Sequence, residues 1–142
     1  MKLIITGGRQ ADSKLSYFNK EWNNGIEGVI LEYDPKKNLI EEKISYKTPL
    51  ENRPIDNYSI SFKSGSIHNN KLHVTTLTEI LIFDLPEYEL VDRISLNIFN
   101  DLHHVIYHEE NLFIVITGLD IVVKFSLNEK KIKTFYNCYP EI

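Results

Sequence analysis

The chain has 142 residues, a formal net charge of −4, 42% hydrophobic residues and 25% charged residues, a balance that an ordinary globular domain shows. The acidic charge argues against general nucleic-acid binding, which needs a basic face. The single cysteine, Cys138, excludes an internal disulfide and favours a reducing compartment, and the N-terminal apolar run is too short for a signal peptide or a membrane span. We therefore expect a cytoplasmic protein with neither a nucleic-acid nor a membrane partner.

The first part of the chain contains three runs of β character, at residues 2–6, 28–34 and 39–45. Ile, Val, Leu and Tyr dominate these runs, and no helical stripe of useful length accompanies them. A long connection, residues 7–27, separates the first two runs, and a second one, residues 46–60, follows the third. Long connections on a rigid scaffold are where function usually lies.

The same three-strand pattern returns twice, and each return is preceded by one more candidate strand. The copies align on the aromatic residues Tyr33, Phe83 and Phe125 and recur at about 40 residues, apart from the two long connections. The copies occupy residues 59–67, 71–76, 79–84 and 89–95, and then residues 102–107, 111–117, 120–126 and 130–136.

A four-stranded meander with this period is typical of a propeller blade. We therefore predict an all-β fold of about three four-stranded antiparallel blades, a partial propeller in one domain, with the first blade lacking its first strand. The blades are expected at about residues 1–46, 58–96 and 101–136, followed by a tail at 137–142. The continuous apolar runs LFIVI and IVV in the third copy predict strands that are covered on both faces.

The third copy, HHV followed by NLFIVITGLDIVVKFSL, and its weaker counterpart KLHVTTLTEILIFDL resemble the blades of β-propellers of the general NHL or YncE-like kind. The resemblance implies that the first strand of each blade lines the axis and the fourth forms the rim. It also implies that ligands bind on the face that carries two sets of loops: those between strands two and three, and those from one blade to the next. It identifies an architecture and no substrate.

Several candidate ligand-binding residues belong to connections on that face. Aromatic rings and an arginine suit stacking on a ligand or anchoring in a partner, although Phe18 and Trp22 could instead fold their loop against its own blade. Arg53 could bind an anion, and Asp120 lies in a turn between strands two and three. The candidates are Arg9, Tyr17, Phe18, Trp22, Arg53 and Asp120.

His103 and His104 begin the first strand of the third blade, next to Asp101. A neutral imidazole can act as a general base with a carboxylate to orient it, and neighbouring strand residues point to opposite faces, so only one of the pair can serve a given site. The alternative is a histidine that is bonded within the strand or solvated. The spacing matches no metal-ligand signature, so we expect neither a metal nor a cofactor.

His68 and His108 occupy equivalent positions beside the turn between strands one and two, which places them on the opposite face. Because the position repeats, we assign both a role in the turn, and we assign His73, in the middle of a strand, to packing or hydrogen bonding.

The preferred function is a non-catalytic propeller module that binds a small ligand or a protein through the face with the long loops. The first alternative is a lyase or hydrolase that uses His103 or His104 as its general base. The second is a structural subunit that completes a larger ring.

A homodimer is the expected assembly, because fewer than three blades cannot close a ring. Two chains related by a two-fold axis would supply six blades if each tail, residues 137–142, provided the missing strand of its partner. Such a dimer would also cover apolar residues on the terminal blades, which would otherwise be bare. These residues are Leu3, Ile4, Ile5, Val29 and Leu31 in the first blade and Phe113, Val115, Val122 and Phe125 in the last.

Overall fold

A computed structural model describes residues 1–11, 25–54 and 59–139, and within these residues the chain forms eleven β-strands and two short 3₁₀ turns. All strand pairs in the three sheets are antiparallel, which confirms the all-β prediction. The chain divides into two compact units, Met1–Phe62 and Lys63–Ile142. No helix among the described residues is long and apolar enough to cross a membrane. The proposed boundaries of the blades within one domain stay a prediction.

The first unit contains a three-stranded sheet in the order β1 (Leu3–Gln10), β2 (Gly25–Asp34) and β3 (Leu39–Tyr46). Both β1 and β2 are longer than the sequence pattern predicted. The ladder continues from Leu3 opposite Tyr33 to Arg9 opposite Glu27, because oppositely charged side chains face each other there and extend the pairing. Residues 7–10 and 25–27, expected in a long loop, therefore belong to strands.

The segment at residues 59–62 was predicted to begin a strand of the second blade, and this prediction was wrong. Its backbone bonds to the first sheet instead: the Ile60 N–H donates to the Gly25 carbonyl at 2.7 Å, and the Phe62 N–H donates to the Gly7 carbonyl at 3.0 Å. Glycine is needed at position 25, since a Cβ atom there would lie 2.4 Å from the Ile60 carbonyl oxygen. The strand that follows is confined to Gly65–His68.

The second unit contains two four-stranded meanders. The second sheet has the order β4 (Gly65–His68), β5 (Lys71–Thr75), β6 (Ile80–Asp84) and β7 (Glu89–Ile94). The third sheet has the order β8 (Leu102–His108), β9 (Asn111–Ile116), β10 (Ile121–Ser126) and β11 (Lys131–Asn137). In both sheets the chain-order neighbours pair, as in a propeller blade.

The repeat seen in the sequence is also present in the backbone. The first hairpin turn of the second sheet, Asn69-Asn70, and that of the third, Glu109-Glu110, have positive φ at both positions, as two-residue type I′ turns require. Each of the two sheets carries a bulge directly before its aligned aromatic residue, Phe83 or Phe125.

The two sheets of the second unit pack face to face over one apolar core. The core is built from the inward rows of both sheets and from the connection between them. It consists of Ile80, Ile82, Ile94, Phe99, Leu102, Val105, Leu112, Ile114, Ile116, Val123 and Phe125.

Burial in the third sheet differs from the prediction. Phe125, assigned above to a bare outer face, is 1% exposed in the core, because it pairs with Leu112 and shares its face. Strand β9 alternates between buried and half-buried residues, so the run LFIVI is not covered on both faces. Both central strands of the second sheet have that property: the last four residues of β5 and the first four residues of β6 are all buried.

The tail also differs from the prediction that it would supply a strand to a partner. Asn137 pairs with Ile121 in the chain's own third sheet, and the Cys138 N–H donates to the Asp120 carbonyl at 3.0 Å. The two 3₁₀ turns are Leu50–Asn52 and Thr117–Leu119.

Phe125 and Phe135 provide a matched test of this core. Phe125→Ala should lower the free energy of unfolding by about 3–5 kcal/mol, since it removes a buried ring and leaves a cavity. Phe135 lies on the neighbouring strand with 55% of its surface exposed, and Phe135→Ala should cost less than about 1 kcal/mol. Urea unfolding followed by circular dichroism measures both values. Equal losses would contradict the assignment of Phe125 to the core.

Candidate functional site

One end of the third sheet carries the residues that were predicted to act as a general base. His103 Nε2 lies 3.6 Å from Asp101 Oδ2, and Thr117 Oγ1 lies 2.8 Å from the same carboxylate oxygen. The His103 side chain is 53% exposed. The carboxylate is thus positioned beside the imidazole, at the surface of the sheet.

His104 does not share this site. Its Nδ1 lies 2.5 Å from Ser64 Oγ, in the residue that precedes β4. The two neighbouring histidines engage different partners, at the point where the register of β8 with β9 shifts between Leu102 and His104.

Asp120 lies near the same end of the third sheet as Asp101. It has a left-handed backbone conformation, with φ of 54°, after the 3₁₀ turn Thr117–Leu119. That turn packs on the preceding connection: the Gly118 N–H donates to the Asn100 carbonyl at 3.1 Å, and a Cβ atom on Gly118 would lie 2.6 Å from the Asn100 side chain. The structure thus brings Asp101, His103 and the turn that ends at Asp120 to one end of β8, and His108 ends that strand at the other.

The two candidate arginines belong to the first unit, and both are engaged there. Arg9 lies in β1 and pairs with Glu27 and with Glu42, whose Oε2 is 2.6 Å from Nη2. Hydrogen bonds from Lys47 and Ser45, with the charge of Arg9, lower the pKa of Glu27.

Arg53 Nε donates to the Thr48 carbonyl at 2.6 Å. Tyr17, Phe18 and Trp22 lie outside the described residues. A shared site formed by Arg9, Arg53 and the third blade stays a prediction.

A cavity of about 440 Å³ lies between the two sheets of the second unit, toward the ends of β4 and β8, where the Asn69-Asn70 and Glu109-Glu110 turns are located. We call it the inter-sheet cavity. Residues of both sheets and of their turns line this cavity. The lining residues are His68, Asn69, Lys71, His73, Ile82, Val91, Asp92, Tyr107, Glu110, Leu127 and Lys130.

His73 is the most deeply buried polar residue of this lining, with 2% of its surface exposed, and its Nδ1 atom has no hydrogen-bond partner among the described residues. Burial lowers the pKa of His73, and hydrogen bonds with the backbone of Ser66 and of Lys71 oppose this shift. Burial therefore favours the neutral form of this imidazole.

Local geometry fixes the position of His73. Its strand neighbours across the sheet are Ser66 on β4 and Ile82 on β6. Gly65 permits the close approach of β4 and β5, since a Cβ atom there would lie 1.9 Å from the His73 carbonyl oxygen. The central position in three paired strands leaves the imidazole little freedom to turn elsewhere.

Tyr107 forms an aromatic wall of the cavity. The His68 ring stacks on it with centroids 4.2 Å apart and planes 16° from parallel, and the His73 ring lies 5.6 Å away in a tilted arrangement. The Tyr107 hydroxyl donates to Glu110 Oε1 at 2.5 Å. This bond raises the pKa of Tyr107. The phenol therefore stays protonated, and the Glu110 carboxylate keeps its hydrogen bond.

The remaining charges of the lining are paired. Lys130 Nζ lies 2.5 Å from Asp92 Oδ2, which joins the β10–β11 turn to β7, and Lys71 Nζ lies 2.5 Å from Asp84 Oδ1. Both pairs are well exposed and contribute little to stability. The cavity therefore has a balanced, charged rim and a neutral interior.

The sequence analysis gave the histidines of this cavity structural roles only. His73 interrupts an apolar strand, and we assigned it to packing; His68 and His108 repeat, and we assigned both to their turns. The structure places His68 in the cavity wall through its contact with Tyr107 and places His108 outside it. No group of three or more His, Cys, Asp or Glu side chains suited to a metal ion occurs among the residues that the structure describes.

No protein-family model matches the chain, and no curated protein matches it. Among solved structures, the chain is similar to Sqt1 of Saccharomyces cerevisiae. The TM-score is 0.51, with 15% sequence identity over 91% of this chain, which spans 34% of the length of the Sqt1 chain. At that identity the likeness shows the fold alone. The described sheets are β-propeller-like, as the sequence predicted.

The lowered pKa of His73 predicts a loss of stability in acid. Below about pH 6.5 an unfolded chain takes up a proton at this histidine, whereas the folded chain resists it, so the free energy of unfolding should fall by up to about 1.4 kcal/mol per pH unit until the folded pKa is reached. His73→Gln should flatten this part of the profile.

His108→Gln is the control, because His108 is exposed beside the equivalent turn. Urea unfolding between about pH 7.5 and pH 5 measures the slopes. A wild-type slope that survives in His73→Gln would contradict the assignment.

Proposed function

We propose that the chain is a non-catalytic propeller-type module that binds a small molecule in the inter-sheet cavity. The observation that carries the proposal is a cavity of about 440 Å³ whose wall combines the stacked rings of His68 and Tyr107 with the apolar side chains of Ile82, Val91 and Leu127. Cavities of this size, with apolar walls and a few fixed polar groups, are typical ligand sites.

The site differs from the one the sequence favoured, which was the face with the long loops. Binding of a protein or small ligand at Asp101, His103 and Asp120 remains an alternative, supported by their position at one end of the third sheet. Catalysis there is the rival function, supported by the 3.6 Å approach of Asp101 to His103. The exposure of His103 favours binding over catalysis, because a general base acts best where water is excluded.

A fragment screen tests the location and the chemistry together. Small uncharged and charged fragments would be titrated into the full chain while amide NMR signals are followed. Hits should shift the signals of His68, His73 and Tyr107 and should be recovered unchanged. Shifts centred on Asp101 and His103, or chemical conversion of a hit, would contradict the proposal.

Two neighbouring residues of β7 supply matched variants for this screen. Val91 lines the cavity with 43% of its surface exposed, whereas Leu90 is 42% exposed and is not part of the lining. Val91→Trp should fill the rim and weaken hits at least about tenfold, while Leu90→Trp should leave them within about twofold of wild type. Equal effects of the two variants would place the hits elsewhere.

We also propose that the chain assembles as a homodimer, now without the exchange of its tail. The supporting observation is the outer face of the third sheet, where Phe113, Val115 and Val122 remain half-exposed. The Phe113 ring lies beside the rings of Tyr136 and His108, and the Lys124 ammonium is 5.9 Å from its centroid. A second copy would cover such a face by an isologous contact.

Sedimentation at micromolar concentration tests the dimer. Val115→Lys should yield a monomer with an unchanged circular dichroism spectrum, because the new charge lies on the outer face. Deletion of residues 137–142 should leave the dimer intact in this arrangement. A wild-type monomer would overturn the assembly.

We also propose that the chain is related to propellers of the NHL or YncE-like kind and that it is cytoplasmic. The exposed thiol of Cys138 suits the reducing environment of that compartment.

A further inference from the structure

A serine and a histidine from different sheets meet at the surface of the second unit. Ser64 Oγ lies 2.5 Å from His104 Nδ1, although the two residues are 40 positions apart in the chain. Ser64 is exposed and His104 is half-buried. Neither residue lines the inter-sheet cavity, which lies toward the other ends of β4 and β8. The pair is therefore a separate feature of the unit.

Each member of the pair is held by its own sheet. The Ser64 carbonyl accepts hydrogen bonds from the Thr75 N–H at 3.4 Å and from Thr75 Oγ1 at 3.3 Å, and the Lys63 N–H donates to the Thr75 carbonyl at 2.8 Å. Thr75 ends β5 and has no exposed surface. His104 pairs with Val115 in the ladder of β8 and β9. Two hydrogen-bonded sheets therefore position the two side chains before any reagent arrives.

An imidazole at this distance can act as a base for the serine hydroxyl. In the tautomer that carries its proton on Nε2, the Nδ1 atom of His104 is an acceptor, and the Ser64 hydroxyl donates to it. A serine is a weak nucleophile until an adjacent base takes its proton. The pair combines hydrogen-bond contact with such a base and an exposed serine that a reagent can reach, which are the features of an activated nucleophile.

We propose that Ser64 is a nucleophilic modification site that takes an acyl group from an activated ester or thioester, with His104 as its base. Ser64 Oγ attacks the carbonyl carbon, its proton passes to His104 Nδ1, and the bond between that carbon and the leaving oxygen or sulfur breaks. The leaving group departs with the bond electrons, and the imidazolium returns the proton to it or to water. The product is one ester on Ser64 and a neutral His104. One acyl group is transferred to each chain, so the step requires no turnover.

Acetylation by p-nitrophenyl acetate tests this reactivity in the full chain. Digestion and mass spectrometry would follow the acetyl ester on Ser64 with time, and hydroxylamine would distinguish esters, which it cleaves, from lysine amides, which it leaves intact. Ser95 is the internal control, because it is also exposed but its hydroxyl donates to the Thr78 carbonyl at 3.0 Å, which cannot take its proton. Ser64 should be acetylated at least about tenfold faster than Ser95, because a positioned base assists only Ser64.

Two histidine variants identify the base. His104→Gln keeps a polar side chain but removes the basic nitrogen, and it should slow the acetylation of Ser64 at least about tenfold. His108→Gln changes an exposed histidine at the other end of the same strand and should leave the rate within about twofold of wild type. Circular dichroism would establish that both variants are folded. The wild-type chain in urea supplies a comparison that needs no variant, since unfolding should abolish the difference between Ser64 and Ser95.

Three results would overturn the inference. Acetylation of Ser64 at the rate of Ser95 would leave its bond to His104 as a structural contact between the sheets. An unchanged rate in a folded His104→Gln variant would show that the imidazole is not the base. A difference between the two serines that persists in urea would assign the reactivity to local sequence. None of these results bears on the proposed function, which the fragment screen tests with compounds that carry no activated acyl group.

Discussion

The structure of the second unit depends on the packing of two antiparallel sheets across one apolar core. Ile80, Ile82 and Ile94 from the second sheet meet Leu112, Ile114 and other apolar residues from the third. Burial of such rows contributes about 25 cal/mol for each Å² of apolar surface removed from water. Because the two sheets share this core, the distance between them is set by side chains, and so is any space that the side chains leave unfilled.

The inter-sheet cavity is such a space. Where the facing rows are aliphatic, as at Ile80, Val105 and Ile114, the side chains are buried. Toward the Asn69-Asn70 and Glu109-Glu110 turns the rows become polar, with His68, His73 and Tyr107. Polar side chains must also satisfy hydrogen bonds, which restricts how closely they can pack. The cavity therefore follows from a change of residue type along one pair of facing sheets.

The features that the second and third sheets share build the fold, whereas the residues that line the cavity mostly differ between the two sheets. The second and third sheets share turn conformation and bulge position, and these common features serve the fold. The cavity depends on residues that differ between equivalent positions. His73 corresponds to Phe113 in the aligned copies, and Ile67 corresponds to Tyr107. In a repeat protein the positions that depart from the repeat are the ones that create a specific site, because the shared positions build the same scaffold each time.

The sequence by itself determined the class of the fold and most of its elements. Alternating and continuous apolar runs, separated by short polar turns, specify strands because side chains alternate across a sheet with period two. The aligned aromatic residues Tyr33, Phe83 and Phe125 were enough to reveal the repeat and the propeller-like blades. The pairing of Asp101 with His103 was also accessible, since strand-end neighbours are close in space whatever the rest of the chain does.

The tertiary structure decided which faces are covered and where polar groups are left without partners. Phe125 was indistinguishable in sequence from Phe113, yet only Phe125 faces the core, because a shift of one residue in a strand reverses the face. His73 likewise resembled an ordinary strand residue. Its position near the ring of Tyr107, on which His68 stacks, became visible only when the second and third sheets were packed together. Local pattern encodes the strands, whereas the cavity depends on distances between sheets that no local pattern contains.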